Sequence, residues 1–303
     1  MKTTLSFDVI IIGGSYAGLS AAMALGRSLR SVLVIDSGVP CNRQTPHSHN
    51  FITQDGERPH MIAQKARDQV SQYPTVQLLD GRAVNGYKTD GGFCITIEQG
   101  NTYEAKKLIF ATGLKDKMPQ IEGFAECWGI SVIHCPYCHG YEQRNEKTVI
   151  LANGDVAMHY AQLILNLTKD LTILTNGSSE FTAEQNEKLK KYGISVIEEE
   201  LASLTHENGR LQSVTFKNKK HFPVKVMYAR PDFEQHCTIA EMLGCKISET
   251  GHIITDAFQK TTVPHIYACG DNSGMMRSVA HAVYTGNLSG AMVNNEMTAE
   301  AFK

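Results

Sequence analysis

The run Phe7-Asp8-Val9-Ile10-Ile11-Ile12-Gly13-Gly14-Ser15-Tyr16-Ala17-Gly18 decides the fold. An apolar, β-branched stretch that ends in glycines reads as a buried parallel strand turning sharply into a helix. The Ala-, Leu- and Met-rich segment from Leu19 to Leu29 supplies that helix. Ser31 to Ile35 supplies the next strand, closed by Asp36. In a strand–turn–helix–strand unit of this kind the three glycines of G-x-G-x-x-G have separate tasks. The first permits the tight turn, the second lets a pyrophosphate approach the backbone, and the third lets the helix pack on the strand. Gly13 and Gly18 hold the first and third places, and Ser15 stands in the middle one, flanked by Gly14 and Ala17. A small side chain is compatible with that place, and its hydroxyl can donate to a phosphate. Free N–H groups and the helix dipole favour a pyrophosphate at this helix end. Asp36 lies 23 residues after Gly13, close to the spacing of an acid that binds a ribose hydroxyl.

A second unit of the same plan starts near residue 147. Lys147 to Leu151 reads as a strand, Asp155 to Leu167 as a helix and Leu171 to Leu174 as a second strand. In its turn, Ala152 stands where the first glycine belongs, whereas Gly154 and Ala157 fit the pattern. Short strands follow near Ser213 to Phe216 and Val224 to Tyr228. Lys107 to Ala111 is a strand running into Thr112-Gly113, and Ile266 to Gly270 is a late strand entering Asp271-Asn272. A helix from Arg277 to Asn294 closes the chain. The expected fold class is therefore α/β, with two Rossmann-like, three-layer nucleotide-binding domains. The first is discontinuous, residues 1–114 and 243–303, and the second is inserted at 115–242.

Between the two fingerprints lies Cys135-Pro136-Tyr137-Cys138-His139. Two cysteines at this spacing close a small disulfide or share a proton, which lowers one thiol pKa and favours disulfide exchange. Pro136 suits the first turn of a helix, whose positive end would further stabilise a thiolate. Zinc, a c-type haem and inert core thiols compete for the same residues. Zinc wants four ligands, and only His134, His139 and Cys127 stand near enough in sequence to join the pair. C-x-x-C-H is also a haem attachment pattern, but that chemistry accompanies export. Cys94, Cys237, Cys245 and Cys269 read as ordinary buried thiols.

Composition narrows the class further. The 303 residues are 42% hydrophobic and 20% charged, enough for two cores. A net charge of −2 sets up no basic field for nucleic acid or anionic lipid, so neither is an expected partner. The longest apolar runs are too short to span a bilayer, and no membrane association is expected. The start of the chain lacks a secretory apolar core, and its eight cysteines are irregularly spaced. A cytoplasmic location is expected.

Taken together, these segments resemble the low-molecular-weight thioredoxin reductases, FAD-dependent pyridine nucleotide-disulfide oxidoreductases, over nearly the whole chain. The resemblance rests on Gly13 to Gly18, on Ala111-Thr112-Gly113 and on the central C-x-x-C. It also rests on Thr262-Val263-Pro264-His265-Ile266-Tyr267-Ala268-Cys269-Gly270-Asp271 with Arg277-Ser278-Val279. It implies that the first domain binds FAD. Gly270-Asp271 would meet the ribityl chain, and the backbone after Arg277, at Ser278 and Val279, would face the flavin's pyrimidine edge. Asn50 would approach the flavin, and Val84 would meet adenine through its backbone. The family is homodimeric, takes electrons from NADPH and alternates between two domain orientations.

The string His134-Cys135-Pro136-Tyr137-Cys138-His139-Gly140-Tyr141-Glu142 is closer to a branch that includes gliotoxin- and holomycin-type dithiol oxidases. The implied roles are Cys138 beside the flavin, Cys135 as attacking thiol and His139 as acid/base. Histidine suits that task because its pKa lies near neutrality. Implied partners are a thioredoxin-like protein or a small-molecule disulfide or dithiol. Where the thioredoxin reductases grip the 2′-phosphate of NADPH with arginines, this chain has Thr175-Asn176-Gly177. Each charge-assisted bond lost there is worth about 1.5–3 kcal/mol. NADH, NADPH and a cycle without nicotinamide all stay open. So does the direction of flow, whether disulfide reduction or oxygen-driven dithiol oxidation.

Overall fold

The computed structural model describes residues 5–303. The chain forms two compact units. The first holds residues through Arg43, Pro59–Lys115 and Phe233–Lys303; the second holds Gln44–Arg58 and Asp116–Asp232.

At the centre of the first unit is the strand Leu5–Ile12, paired in parallel with Val32–Asp36 on one side and Thr102–Phe110 on the other. Val76–Asp80 extends the sheet in parallel beyond Val32–Asp36. Gly92–Ile97 and Ala83–Thr89 extend it antiparallel beyond Thr102–Phe110, which also takes the late strand Ile266–Ala268. Successive side chains of a strand point to opposite faces. Val9 and Ile11 accordingly join one core with Leu19, Leu25 and Val34, while Ile10 and Ile12 join another with Phe93, Ile95 and Phe110. Burial on both faces is why this strand reads as an unbroken apolar run.

The helix Tyr16–Arg27 packs against the closing helix Val279–Ala301 with almost no space between backbones. A Cβ on Gly286 would fall 2.1 Å from the Ala17 carbonyl oxygen, and one on Gly290 would fall 2.6 Å from that of Ala21. The far end of the closing helix is held by charge. Lys107 is 1% exposed, and its ammonium donates to Glu296 at 2.6 Å and Glu300 at 2.8 Å, with His265 Nδ1 at 2.9 Å. Burial works against a charge on Glu296. Hydrogen bonds from Lys107, Lys260, Tyr267 and His265 outweigh it and hold the carboxyl well below the usual carboxylate range.

The second unit carries a five-stranded parallel sheet in the order Ser195–Ile197, Leu171–Leu174, Thr148–Leu151, Val226–Ala229, Val132–Ile133. The helix Gly154–Ile164 covers it through Ala157, Tyr160, Ala161 and Ile164. Leu201–Glu207, Arg210–Phe216 and His221–Pro223 make a separate antiparallel sheet.

Three features differ from the sequence reading. The chain re-enters the first unit at Phe233 instead of 243, because Phe233–Gln235 pairs with Leu114–Asp116 and Ile239 and Ala240 are buried in the first unit's core. Gln44–Arg58 belongs with the second unit. The closing helix starts at Val279, one residue after Ser278, whose hydroxyl caps it by accepting from the His281 N–H at 3.2 Å. No described helix is long and apolar enough to cross a membrane.

Removing the buried Lys107 would take its ammonium from the half-buried Glu296 and the exposed Glu300, and breaking one side of a buried pair costs up to about 3–5 kcal/mol. Lys107→Ala is expected to lower the urea midpoint by that measure; a loss under about 1 kcal/mol contradicts the assignment. For Glu296 the sign is that of a depressed acid. Its stabilisation is complete above the unfolded carboxyl pKa of about 4.3 and is lost as pH falls toward the folded value. The stability gap between wild type and Glu296→Gln should therefore hold between pH 6 and 8 and shrink in stronger acid.

Candidate active site

The glycine turn is built by collision. Gly13 sits at φ +105°, and a Cβ there would lie 2.2 Å from the Ala111 carbonyl oxygen. A Cβ on Gly18 would fall 1.8 Å from the Gly13 oxygen, and one on Gly14 would fall 2.7 Å from the Asp36 Cβ. The turn, Ala111-Thr112 and Asp36 are thus pressed together as the fingerprint requires. Ser15 is the N-cap of the Tyr16–Arg27 helix, but its side chain makes no capping bond, and the first turn carries no acid. The amide end of this helix is left for an external anion.

The other segments converge on this turn. Gly270, at φ +79°, donates its N–H to Thr285 Oγ1 at 3.0 Å, and a Cβ there would touch Ala17 at 3.0 Å. Asp271 Oδ2 lies 3.6 Å from Arg277 Nε, just ahead of Ser278 and Val279. Asn272, fully buried, donates to the Phe110 oxygen at 2.8 Å and to Thr112 Oγ1 at 3.2 Å. It stitches the Ala111–Gly113 segment to Gly270–Asp271, and the sequence reading had given it no role. Asp36 is shared with Arg67, 3.3 Å away, which also reaches Asp80. Val84 lines a cavity of about 830 Å³ with Ser37, Arg82, Lys115 and His236.

In the second unit Cys135 and Cys138 form a disulfide, with Cα atoms 5.3 Å apart. Cys135 is the N-cap of the single-turn helix Pro136–His139, and the Cys138 N–H donates to Cys135 Sγ at 3.2 Å. Once the pair is reduced, that N–H favours a thiolate on Cys135. Burial instead pushes the Cys127 thiol up to about 11 and the Cys269 thiol up to about 12, so both stay protonated and unreactive at neutral pH. His139 is half-buried. Burial pushes its imidazole below the usual histidine range, His49 pushes the same way, and Glu142 opposes them. A neutral imidazole next to a thiol pair can accept a proton. Asn50, at φ +59°, lies in this unit, its N–H bound to Asp55 Oδ1 at 2.7 Å.

The second fingerprint is arranged differently from the first. Gly154 and Ala157 take their expected places at the head of the Gly154–Ile164 helix. Asn153 caps that helix itself: its Oδ1 accepts from the N–H groups of Gly154 and Glu180, both at 2.9 Å, and its Nδ2 donates to the Ser178 oxygen. Asp155 stands in the first turn, and Glu180 Oε2 would meet a Gly154 Cβ at 3.7 Å. Thr175 Oγ1 donates back to the Gly177 oxygen at 2.6 Å.

Comparison with known proteins places the fold. Residues 7–286 match the family model described as pyridine nucleotide-disulphide oxidoreductase. The chain belongs to that family. It is 32% identical to thioredoxin reductase tcpT of Claviceps purpurea (strain 20.1), over 99% of this chain and 97% of that protein. It is 33% identical to thioredoxin reductase aclD of Aspergillus oryzae, over 96% of each. A crystal structure of an oxidoreductase from Agrobacterium tumefaciens superposes with a TM-score of 0.91 at 36% identity, covering 97% of this chain and 99% of that one. The crystal structure of HlmI superposes with a TM-score of 0.92 at 28% identity, covering 98% and 94%. The expected class, an enzyme with a thioredoxin reductase-like fold, is the one found.

Members of the family use a flavin and a nicotinamide nucleotide, and the two fingerprints fit such groups unequally. The first fits FAD: the glycine cradle has no room for a side chain, and the helix head has no acceptor of its own. Gly13 to Gly18, Asp36, Ala111 to Gly113 and Gly270-Asp271 would hold the cofactor. The second fits a pyrophosphate poorly, since Asn153 occupies its helix head and carboxylates flank it.

Gly13→Ala should drive a methyl group into the Ala111 carbonyl. The purified variant is expected to lose most of its flavin absorbance per chain; full retention contradicts the assigned cradle.

Proposed function

We propose that this protein is an FAD-dependent thiol–disulfide oxidoreductase in which the Cys135–Cys138 pair exchanges electrons with the flavin. The observation that carries the proposal is a disulfide at a helix N-cap, with an amide aimed at Cys135 Sγ and a half-buried, neutral His139 on the same turn. FAD, when bound, supplies a two-electron relay between this pair and a donor or acceptor. In the reducing direction the Cys135 thiolate attacks a substrate disulfide and one substrate sulfur leaves. Cys138 then attacks Cys135 Sγ, which closes the enzyme disulfide and frees the second substrate thiol. His139 takes the proton of the attacking thiol and returns one to the departing sulfur. The substrate is a thioredoxin-like protein or a small-molecule disulfide, the electron donor is a nicotinamide nucleotide, and the enzyme works as a cytoplasmic homodimer.

A second reading uses the same relay in reverse: a small-molecule dithiol is oxidised to a disulfide and oxygen is reduced to hydrogen peroxide. The Asn153 cap favours it, because this helix head already has its hydrogen-bond acceptor. The absence of arginine from Thr175-Asn176-Gly177 also makes NADPH a poorer donor than NADH.

Anaerobic stopped-flow reduction tests the proposal. Dithiothreitol is expected to bleach the flavin of wild-type protein, and Cys138→Ser and Cys135→Ser to abolish that bleaching while retaining FAD. NADPH is expected to bleach no faster than NADH. Dithiol bleaching that survives in both serine variants contradicts the role of the pair. Bleaching by NADH at a catalytic rate selects the reductase direction; bleaching by dithiol alone, with peroxide formed in air, selects the oxidase.

A further inference from the structure

The first unit places an acid at the end of its second strand, and the second unit does not. Asp36 stands 23 residues after Gly13, and the residue at the same distance from Ala152 is Thr175. Thr175 has no carboxylate, and its hydroxyl donates to the Gly177 oxygen. The neighbouring strand supplies the acid instead. We propose that Glu198 takes the place of the missing acid, as the residue that admits the free 2′-hydroxyl of NADH and rejects the 2′-phosphate of NADPH. The proposal rests on a nicotinamide nucleotide being the electron donor, and it names the residue behind the preference for NADH.

The registers of the two sheets match. In the first unit Ile35 pairs with Leu79, and Asp36 pairs with Asp80. In the second unit Leu174 pairs with Ile197, and the next residues are Thr175 and Glu198. Glu198 thus holds the position of Asp80, one strand over from the usual acid. The Thr175 N–H donates to the Ile197 oxygen at 3.0 Å and the Gly177 N–H to the Glu198 oxygen at 2.9 Å, so the two strand ends are joined through their backbones. In a doubly wound unit a nucleotide lies beyond the carboxyl ends of the strands, with its ribose near the end of the second. Glu198 stands beside that end.

Its carboxylate is fixed toward the loop that follows that strand. Glu198 Oε1 accepts from the Ser179 N–H at 3.0 Å and from the Ser179 hydroxyl. Ser178 and Glu180, on either side of Ser179, are bonded to Asn153 at the helix head. One loop, Thr175 to Glu180, therefore connects Glu198 to the start of the Gly154–Ile164 helix. The two acids after Glu198 are neutralised: Glu199 pairs with Lys220 at 3.2 Å, and Glu200 pairs with Lys217. Glu198 makes no ion pair among the described residues. The bonds from Ser179 hold its carboxyl below the usual carboxylate range, so it is charged at neutral pH. No lysine or arginine occurs between Lys169 and Lys188 or between Lys191 and Arg210, the stretches that carry both strand ends and the loop. A 2′-phosphate beside this loop meets a carboxylate and no cation from these stretches, whereas a 2′-hydroxyl meets an acceptor.

Calorimetric titration of the full-length, FAD-loaded protein with NADH and with NADPH tests the assignment; the loaded flavin keeps the first cradle occupied. Wild-type protein is expected to bind NADH about tenfold more tightly than NADPH. Glu198→Gln removes the charge and keeps an acceptor. Because the carboxylate is exposed, the effect is modest: NADPH binding should tighten about threefold, with NADH little changed. Glu198→Lys should reverse the preference. Glu199→Gln is the control: Lys220 already neutralises that acid, so the NADH-to-NADPH ratio should stay at the wild-type value. A merely structural role for the segment would not separate the two positions. Raising the salt to about 0.5 M should narrow the wild-type preference by screening the repulsion. A ratio unmoved in both Glu198 variants, or moved equally by Glu199→Gln, overturns the role of Glu198 alone. Wild-type protein that binds neither nucleotide, yet is bleached by dithiothreitol, overturns the nicotinamide donor and Glu198 with it, while the thiol chemistry stands.

Discussion

The 2.2 Å that would separate a Gly13 Cβ from the Ala111 carbonyl oxygen is the constraint on which the first unit depends. Only a residue without a side chain lets the first turn press against the end of the Thr102–Phe110 strand. Gly18, Gly286 and Gly290 repeat the device along the Tyr16–Arg27 helix, so that strand, helix and closing helix lock at backbone distance. Lys107 fastens the other end of the closing helix by charge. The outcome is a rigid frame that holds a helix head with no acceptor of its own beside Asp36, Thr112 and Asp271.

The two nucleotide folds of this chain differ most plainly at the residue before the helix. Ser15 leaves its helix end without a side-chain bond, whereas Asn153 accepts from the Gly154 N–H at the head of its own and is held there by Glu180 and Ser178. The same backbone plan is thus open to an anion in one unit and capped at its first N–H by a side chain in the other. That asymmetry bears on where electrons enter. A dithiol needs only the Cys135–Cys138 pair and a proton acceptor, whereas a nicotinamide nucleotide must displace Asn153 or bind around it.

Some of this was legible in the sequence because it is local. A strand buried on both faces is an apolar run, a turn needing positive φ shows glycine, and a thiol pair at a helix cap shows C-P-x-C. Gly13, Gly18 and Cys135–Cys138 announce themselves in this way, Asp36 through its spacing from Gly13, and Asp271 only through the family resemblance. What stayed hidden is long-range. His49 lies in a polar, aperiodic stretch with no signal that it meets Glu142, and Asn272 looks like a turn residue until Phe110 and Thr112 are beside it. The return to the first unit at Phe233 rests on a three-residue strand, too short for periodicity to reveal. Ala152 was visible as a mismatch to the fingerprint, but the capping role of its neighbour Asn153 depends on Ser178 and Glu180 from the far side of the next strand.

The open and closed helix heads are tested most directly by calorimetric titration of the flavin-free protein with FAD, NADH and NADPH in turn. FAD should bind one per chain and far more tightly than either nicotinamide nucleotide, and replacing Asn153 with glycine should strengthen NADH binding without changing that of FAD. A chain that takes up no FAD, or binds it no better than NADH, would contradict the assignment of the first fingerprint and everything built on it.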